Sequence, residues 1–540
     1  MLGRQNPQMD LADAVLWTGK MEPKPLVEKG SFHDRFAAVR PTILRDEDFG
    51  HWFDSELGRR SIPPSVVAGA FLLALREGCS DREAERRMRY DLSWKWALGL
   101  GLNDHGCDHS SLCVFRARLL AHQEEGRLFG EIVSRAVRAG LLTKRAVQVM
   151  DSSPMLGAAA VQDTYKLIRT ALHKLVKGHQ RELPAELMPR LKRYLQTGKP
   201  EIDWEDREAR RRELQQLVAD AELALKALSA ETDKPVASAA RALLEQVANQ
   251  DVEPDGEGGV KIREGVAKDR VVSTVDPEMR HGHKSSAGRW DGYKKHVSGE
   301  PDTEMITAVA VTPANTGDGQ VAIDLLEQQV EVGLEPAEVV ADHAYAGAEL
   351  REQAQVRGAT LVTKASALPD DGYLHKSEFE IDLEAGTVTC PAGQVAHFAG
   401  SFRPGHSTEA VFAAATCARC PFALACVRTP GQGRTISIHP YEHQLQAAVQ
   451  RRQAPDFPAL MAKRPAIERK QAHLNRKGGN RARYYGLDKT RLQLFWSAAL
   501  VNIERLMVIG QAIASLGTSE TTISAERPAV QNLRAALAAA

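Results

Sequence analysis

The sequence predicts an α/β protein with a mixed sheet covered by helices on both faces and an all-helical N-terminal region. Three observations predict this class. Residues 32–142 have helical patterns throughout, short strand patterns begin after residue 143, and from residue 292 a hairpin precedes alternating strands and helices. A chain of 540 residues is too long for one simple core, so we expect two or three domains.

The composition is that of an ordinary soluble protein, with 43% hydrophobic and 26% charged residues. Seventy basic residues balance seventy acidic ones, so any argument for nucleic acid must be local. The N-terminus lacks a signal pattern, and the longest apolar run, residues 66–75, is too short to span a bilayer. We therefore expect a cytoplasmic protein without a membrane partner.

The N-terminal region, residues 1–142, is predicted to be a helical domain. An apolar helix ends at Gly78, and Ser80-Asp-Arg-Glu83 then fits a capping box that opens a helix over 81–88. Helix, glycine turn and capped helix is the outline of a helix-turn-helix, although a small bundle without a ligand explains the pattern equally well. Further helices are predicted over 108–120 and 128–139.

Two short apolar segments each end in an aspartate. Residues 145–150 precede Asp151-Ser-Ser-Pro, whose proline is expected to stop the strand, and residues 338–341 precede Asp342. A lone aspartate after a strand usually caps a turn or a helix. Two adjacent strands that end level would instead bring the carboxylates together, where they repel unless a cation lies between them. We hypothesise that Asp151 and Asp342 share a divalent metal.

The α/β domain is predicted over residues 143–515, with a helical insert at about 160–285 and a flexible tail at 516–540. The insert contains amphipathic helices, the first with Val161 on its apolar face. It is either a subdomain packed on the core or a DNA-clamping element, and the sequence does not decide between them.

A second insert, at about 366–440, is rich in cysteine. In a reducing compartment a cysteine cluster indicates metal rather than disulfides, and four thiolates suit tetrahedral zinc. The alternative is four unliganded thiols; we favour zinc because the insert has little other apolar content to hold it together. The predicted ligands are Cys390, Cys417, Cys420 and Cys426.

Residues 451–491 form a basic strip, with twelve Lys or Arg residues against three acids, a net charge of +9. Tyr484 and Tyr485 lie among them, and a basic strip with aromatics fits contact with a polyphosphate backbone. A solvated face usually mixes both signs, which this strip does not. Glu468 stands within it, either salt-bridged or as a third metal ligand.

Together and in this order, these features resemble the DDE-type transposases of bacterial insertion sequences, in the group numbered eleven-eighty-two. The resemblance covers roughly residues 30–510. It rests on Asp151-Ser-Ser-Pro with Val161-Gln-Asp-Thr, Asp276-Pro-Glu-Met-Arg280 through Lys284-Ser285, Asp291-Gly-Tyr-Lys294, Ala341-Asp-His-Ala-Tyr345, the four cysteines and Arg464-Pro-Ala-Ile-Glu468.

The resemblance implies an RNase-H-like core in which Asp151, Asp342 and Glu468 bind two Mg²⁺ or Mn²⁺ ions. These ions would serve hydrolysis at the transposon end and then attack of the freed 3′-hydroxyl on target DNA. Related transposases carry Tyr, Arg and Lys around the Glu. Here Arg464 fits, whereas Met461 and Asn475 depart from the pattern. Alternative third acids are Asp488 and Glu504.

The resemblance also implies contacts with double-stranded DNA. Arg464, one helical turn before Glu468, would contact phosphate. The N-terminal helices would bind terminal inverted repeats, and a homodimer would bring two ends together in the nucleoid. The alternatives are a metal-dependent nuclease that does not join and a non-catalytic DNA-binding protein derived from a transposase. Further candidate DNA contacts are Lys284, Lys294, Arg476 and Lys477.

Overall fold

In the computed structural model, the described part of the chain is Leu2, Gln5 and residues 26–54, 60–196, 198, 200–228, 235–256, 258–284, 288–364, 371–429 and 431–517. Most of residues 1–25, Ser285 of the resemblance motif and residues 518–540 of the expected tail lie outside it.

The N-terminal helices form as predicted from their local signals. Helix α2 ends at Gly78, which adopts the left-handed conformation (φ +66°), and the Ser80 hydroxyl accepts the backbone N–H of Glu83 at 3.2 Å to begin α3. The helices are α1 (Phe32–Ile43), α2 (Pro64–Glu77), α3 (Asp81–Tyr90), α4 (Leu92–Leu98), α5 (His109–Ala121) and α6 (Arg127–Arg138).

Strand β1 (Gln148–Leu156) leads into the helical insert, which has a hydrophobic core of its own. Val161 was expected on the apolar face of the first insert helix. That prediction was wrong, because the helix begins at Thr164 and Val161 is half-exposed before it. The insert contains α7 (Thr164–Gly178), α8 (Met188–Leu191), α9 (Arg207–Ala227), α10 (Pro235–Gln250), β2 (Val252–Pro254) and β3 (Val260–Ile262).

The remaining strands complete a six-stranded mixed sheet, which confirms the predicted α/β class. The hydrogen-bonded order is β4-β5-β1-β7-β8, and β6 pairs with β5. Strand β5 is antiparallel to β1, β4 and β6, whereas β7 is parallel to β1 and to β8. The elements are β4 (Arg280–His283), β5 (Arg289–Glu300), β6 (Met305–Pro313), α11 (Ala322–Glu331), β7 (Glu338–Ala341), α12 (Ala348–Val356) and β8 (Thr360–Thr363).

Pro154 does not stop β1, contrary to the prediction. The strand continues to Leu156 because it stays paired with β5, where Pro154 lies opposite Lys294. The backbone N–H of Gly157 bonds to β5 and that of Leu156 points the other way, to Asn480. Successive N–H groups along a strand point to opposite sides, so an N–H at position 154 would point away from β5, as that of Leu156 does. On that side β1 is no longer paired with β7, so the proline costs the sheet no hydrogen bond.

The cysteine-rich insert folds around a core of apolar side chains, so the expectation that it has little apolar content was wrong. Buried Phe379, Phe398, Phe412, Ile436 and Ile438 are part of its core. Its elements are β9 (Glu380–Asp382), β10 (Thr387–Thr389), β11 (Val395–His397), β12 (Thr408–Val411), α13 (Ala414–Ala418), α14 (Ala423–Cys426) and β13 (Thr435–Ile438).

The last helix joins the N-terminal helices to the sheet. Trp496 is buried with its ring centroid 4.9 Å from that of Phe71 on α2 and 5.7 Å from that of Phe115 on α5. Residues Leu487–Gly510 are long and apolar enough to cross a membrane. However, 67% of the apolar 18-residue window in this segment is buried within the protein. The closing helices are α15 (Glu442–Gln453), α16 (Phe457–Met461), α17 (Pro465–Leu474) and α18 (Leu487–Gly517), with a π-helical turn at Asn475–Gly479.

Candidate active site

Asp151 and Asp342 lie level with each other on adjacent strands. The parallel pairing of β1 with β7 sets Gln148 beside Val339 and Val149 beside Val340, and the same register carried two residues further places the two aspartates side by side. Asp342 also caps a short 3₁₀ turn, its Oδ1 accepting the N–H of Ala344 at 2.9 Å.

The Arg464 guanidinium lies between these two carboxylates. Its Nη2 is 3.6 Å from Asp151 Oδ1 and 3.8 Å from Asp342 Oδ2. The side chains of Asp151 and Asp342 are 14% and 32% exposed, so their mutual repulsion is only partly screened by water. A single cation therefore offsets the repulsion of both. The Arg464 Nε is buried without a hydrogen-bond partner in the described part of the chain.

Burial raises the pKa of Asp151 above its ordinary value, and the nearby positive charge of Arg464 opposes the rise. Lys284 opposes it as well, whereas Asp342 adds to it. Lys284, an exposed residue just after β4, is thus close enough to act on Asp151 electrostatically.

Glu468 is carried to the same edge of the sheet by α17. The Gln471 side chain donates to the Asp151 carbonyl oxygen at 3.2 Å and accepts from the Ser153 hydroxyl at 2.8 Å. Arg464, Glu468 and Gln471 are spaced by four and three residues, so they share the helix face that turns toward β1. Glu468 itself is exposed, and across the described residues the three acids do not bring carboxylate oxygens within 4.8 Å of one another.

The two alternative third acids have other partners. Glu504 is paired with Arg76 at 3.2 Å, His473 at 2.8 Å and Lys477 at 2.7 Å. Asp488 is exposed and lies 3.3 Å from Arg491. Both carboxylates are thus engaged away from the aspartate pair, so Glu468 is the acid best placed to join it.

Lys295 belongs to this site and was missed from the sequence. In the register of β5 with β1 it lies opposite Ser153, two residues from Asp151 on the same face. It is fully buried, with Nζ 2.9 Å from Asn475 Oδ1 and 3.3 Å from the Pro154 carbonyl oxygen. Burial lowers the pKa of Lys295 to about 8, and Asp151 opposes this shift.

The residues predicted to contact DNA differ in whether an acidic partner within the protein already neutralises their charge. Lys294 lies on the opposite face of β5 from Lys295 and donates to Asp318 and to the Thr316 carbonyl oxygen, both at 2.7 Å. Lys477 is bonded to Glu504, so its ammonium group is already compensated. Arg476 is exposed, and within the described chain it forms no ion pair.

The surface around the basic strip, residues 451–491, is less positive than the sequence of the strip alone indicates. Acidic residues from distant segments form ion pairs with four of its basic residues, so the inference that the strip carries little negative charge nearby was wrong. Tyr484 also faces inward, with the Arg116 guanidinium 5.0 Å from its ring, while Tyr485 is 52% exposed. The ion pairs are Arg451–Glu338 at 2.6 Å, Lys463–Asp302 at 2.9 Å, Arg469–Glu304 at 2.6 Å and Arg491–Glu125 at 2.6 Å.

The four cysteines of the insert surround one small cavity of about 30 Å³. Burial raises the pKa of Cys426, and the nearby thiols raise it further. The four thiols line the same cavity but are too far apart for a metal site, since in the described chain no three of the sulfur atoms lie within 4.8 Å of one another. All four thiols are free.

A different group among the described residues does bring three donor atoms within 4.8 Å, namely Glu85, Asp108 and His109. These side chains connect α3 to the start of α5. Glu85 is bonded to the ring and the backbone of His109, and Asp108 accepts the N–H of Ser110. The cluster thus has a structural role at the start of α5, and no sequence pattern predicted it.

Two family models match the chain. The family described as Transposase DDE domain matches residues 389–507, and the family described as Transposase domain (DUF772) matches residues 21–118. Both matches support a DDE-type insertion-sequence transposase. The DUF772 match covers α1 to α4 and most of α5, and the DDE match runs from the cysteine-rich insert through α17 into α18. A DDE transposase domain implies an enzyme that cleaves nucleic acid with divalent metal.

One solved structure similar to this chain is described as a cryo-EM structure of the piggyBac transposase synaptic complex with hairpin DNA. The two are 9% identical, with a TM-score of 0.20, over 75% of this chain and 76% of that chain. So low a score does not establish a shared fold. No curated protein matches the sequence.

Proposed function

We propose that this transposase cleaves DNA at the ends of its insertion sequence and joins them to target DNA at a site formed by Asp151, Asp342 and Glu468. The observation that carries the proposal is the level placement of the two aspartates on β1 and β7, with a cationic group between them. We also propose that it belongs to the group of insertion-sequence transposases numbered eleven-eighty-two.

The sheet supports an RNase-H-like core. Its central strand β1 carries Asp151 and has an antiparallel hairpin, β5 and β6, on one side. The parallel strands β7 and β8 lie on the other side, and Asp342 follows β7 directly. The two acids therefore come from neighbouring strands whose separation is fixed by backbone hydrogen bonds.

The donor set fits hard divalent ions. Carboxylate oxygens are the ligands that Mg²⁺ and Mn²⁺ prefer, and two aspartates already converge on a positive group. Asp151, Asp342 and Glu468 would hold the ions, with Glu468 turning inward from its exposed position on α17. Two such ions supply an activated water and stabilise the leaving oxygen of a phosphodiester.

The chain's own residues then orient the DNA. Arg464, which lies beside both aspartates, would contact a phosphate oxygen of the bound DNA. Gln471 holds α17 against β1 through Ser153 and the Asp151 carbonyl, which fixes the direction of the helix that carries Glu468. Lys284 would add positive charge at the edge of the site.

The N-terminal helices are proposed to bind the terminal inverted repeats. Helix α3 exposes Arg82, Arg89 and Tyr90, and the Tyr90 ring is 69% exposed. Cationic and aromatic side chains on the second helix of a helix-turn-helix suit contact with a DNA groove and its phosphates. A homodimer on DNA in the cytoplasm follows from the need to bring two ends together.

Zinc at the cysteine cluster is proposed as a structural ion. The four thiols fit the donor set of a tetrahedral zinc site and already face one cavity. Zinc would draw the thiols on α13 and α14 closer to Cys390 and would add stability to the insert.

A strand-transfer assay tests the catalytic proposal. Labelled duplexes carrying the DNA that flanks the reading frame are incubated with plasmid target and Mg²⁺. The proposal expects end cleavage and a joined product, both abolished in Asp151→Asn. The matched control is Asp488→Asn, an exposed aspartate outside the site, which should retain both. Cleaved fragments without joining would indicate a nuclease. DNA binding without any cleavage by the wild type would indicate a non-catalytic protein.

A further inference from the structure

The helical insert contains a cavity that the proposed catalytic site does not use. It has a volume of about 530 Å³ and lies between α7, the 3₁₀ turn Lys192–Tyr194 and α9. The volume falls within the range of roughly 300–1,000 Å³ that is usual for ligand pockets. The side chains that matter are Tyr165, Lys166, Arg169, His173, Trp204 and Arg210.

Helix α7 has one face in the core of the insert and another that lines the cavity. Its apolar residues, among them Leu167, Ile168 and Leu172, are buried in the core of the insert. Tyr165, Arg169 and His173, spaced by four residues, form a stripe that lines the cavity, and Tyr165 also packs against the core. The core therefore accounts for part of Tyr165 but not for the two basic side chains, Arg169 and His173.

Aromatic rings form the apolar part of the cavity. The rings of Tyr165 and Trp204 meet edge to face, with centroids 5.3 Å apart and planes at 87°. Tyr194 is buried beneath them and its hydroxyl bonds to Asp220. The His173 ring is held by a 2.7 Å hydrogen bond to the Tyr194 carbonyl oxygen. Rings fixed in this way offer flat surfaces to a planar ligand.

The net charge of the lining is positive. Lys166, Arg169 and Arg210 face a single acid, Asp163, which caps α7 by accepting the N–H of Lys166 at 2.9 Å. The Arg169 guanidinium donates to the carbonyl oxygen of Gly198 at 3.1 Å, which leaves its charge free to attract an anion. In the described part of the chain, none of the three cations forms an ion pair.

We propose that this cavity binds an unpaired nucleotide of DNA, with its base against Tyr165 and Trp204 and its phosphate near Lys166 and Arg169. The inference rests on the proposed function, which makes DNA the available ligand. Paired bases are stacked on both sides and cannot enter a cavity, whereas a single-stranded tail or a flipped base can. Stacking and phosphate contact together match the two features of the lining.

Binding of two fluorescent DNA probes to the full-length protein tests the inference. One probe is a blunt duplex and the other is the same duplex with a short single-stranded tail, both at one fixed salt concentration. We expect the tailed probe to bind more tightly. We expect Trp204→Ala to weaken its binding about tenfold, the loss of one stacked base, and to leave the blunt probe unchanged. Arg212→Ala, an exposed residue of α9 outside the cavity, is the matched control and should change neither.

Equal binding of both probes by the wild type, or unchanged tailed binding in Trp204→Ala, would overturn the inference. A cross-linking measurement on the wild type covers the case in which the variant does not fold. A tail that carries 5-iododeoxyuridine should cross-link to residues 164–173 or 200–210 on irradiation, and cross-links confined to other segments would refute the site. Asp151→Asn should keep the preference for the tail, so loss of cleavage and loss of nucleotide binding are distinguishable.

Discussion

Replacing Arg464 with methionine tests the electrostatics of the aspartate pair. The change keeps much of the side-chain volume and removes the only charge seen between Asp151 and Asp342 in the described structure. Unit charges about 4 Å apart interact by roughly 1 kcal/mol in water and roughly 4 kcal/mol at the effective dielectric of a protein surface. The Arg464 side chain is 24% exposed, so the site lies between these limits. We expect Arg464→Met to lower the free energy of unfolding by about 1–3 kcal/mol without metal.

Urea unfolding with EDTA and with Mn²⁺ measures this effect. In the wild type a metal ion must compete with the guanidinium, whereas in Arg464→Met the carboxylates are free to bind it. Mn²⁺ should therefore raise the unfolding midpoint more in the variant, because an ion at a hundred times its dissociation constant adds about 2.7 kcal/mol. Arg476→Met, an exposed arginine with no ion pair in the described chain, is the control. Equal stability of Arg464→Met and wild type in EDTA, with equal gains from Mn²⁺, would refute the reasoning.

Three further predictions concern stability and zinc binding. Trp496→Ala should cost about 3–5 kcal/mol of unfolding free energy, measured by urea denaturation, since it empties the contact between the N-terminal helices and α18; a loss below about 1 kcal/mol would contradict this packing. Burial raises the pKa of Glu504, but hydrogen bonds from His473 and Lys477 bring it below its ordinary 4.5. This carboxylate therefore stabilises the fold above pH 4.5 and loses that effect as the pH falls further, so the stability gap between wild type and Glu504→Gln should shrink on acidification; a constant gap would contradict it. Cys417→Ser should lose bound zinc by elemental analysis, and less than one zinc per wild-type chain would reject the site.

Local features of the fold could be predicted from the sequence. Strand β8, one of the strands predicted to alternate with helices after residue 292, forms over Thr360–Thr363, where a short run with two β-branched threonines and a valine follows Gly358. The end of α2 at Gly78 and the start of α3 after Ser80 were predicted from a helix-ending glycine and a capping-box serine, and the structure has both boundaries there. Both signals act within a few residues, so no tertiary information is needed.

Features set by distant pairing could not be predicted in this way. Lys294 and Lys295 are equivalent in sequence, and only the register of β5 against Ser153 decides which of them faces Asp151. The charge of the basic strip was misjudged for a related reason. Acids such as Glu304 reach it from other parts of the chain, and one-dimensional charge counts cannot include them.

The central claim is that three distant acids bind divalent ions in one place. Iron(II) can replace Mg²⁺ at such sites, and with ascorbate and peroxide it generates hydroxyl radicals that cut the nearby backbone. The predicted result is cleavage of the wild-type chain near Asp151, Asp342 and Glu468, with all three cuts lost in Asp151→Asn. Cleavage confined to the segment around Glu85 and His109, or cuts near only one of the three acids, would contradict the account.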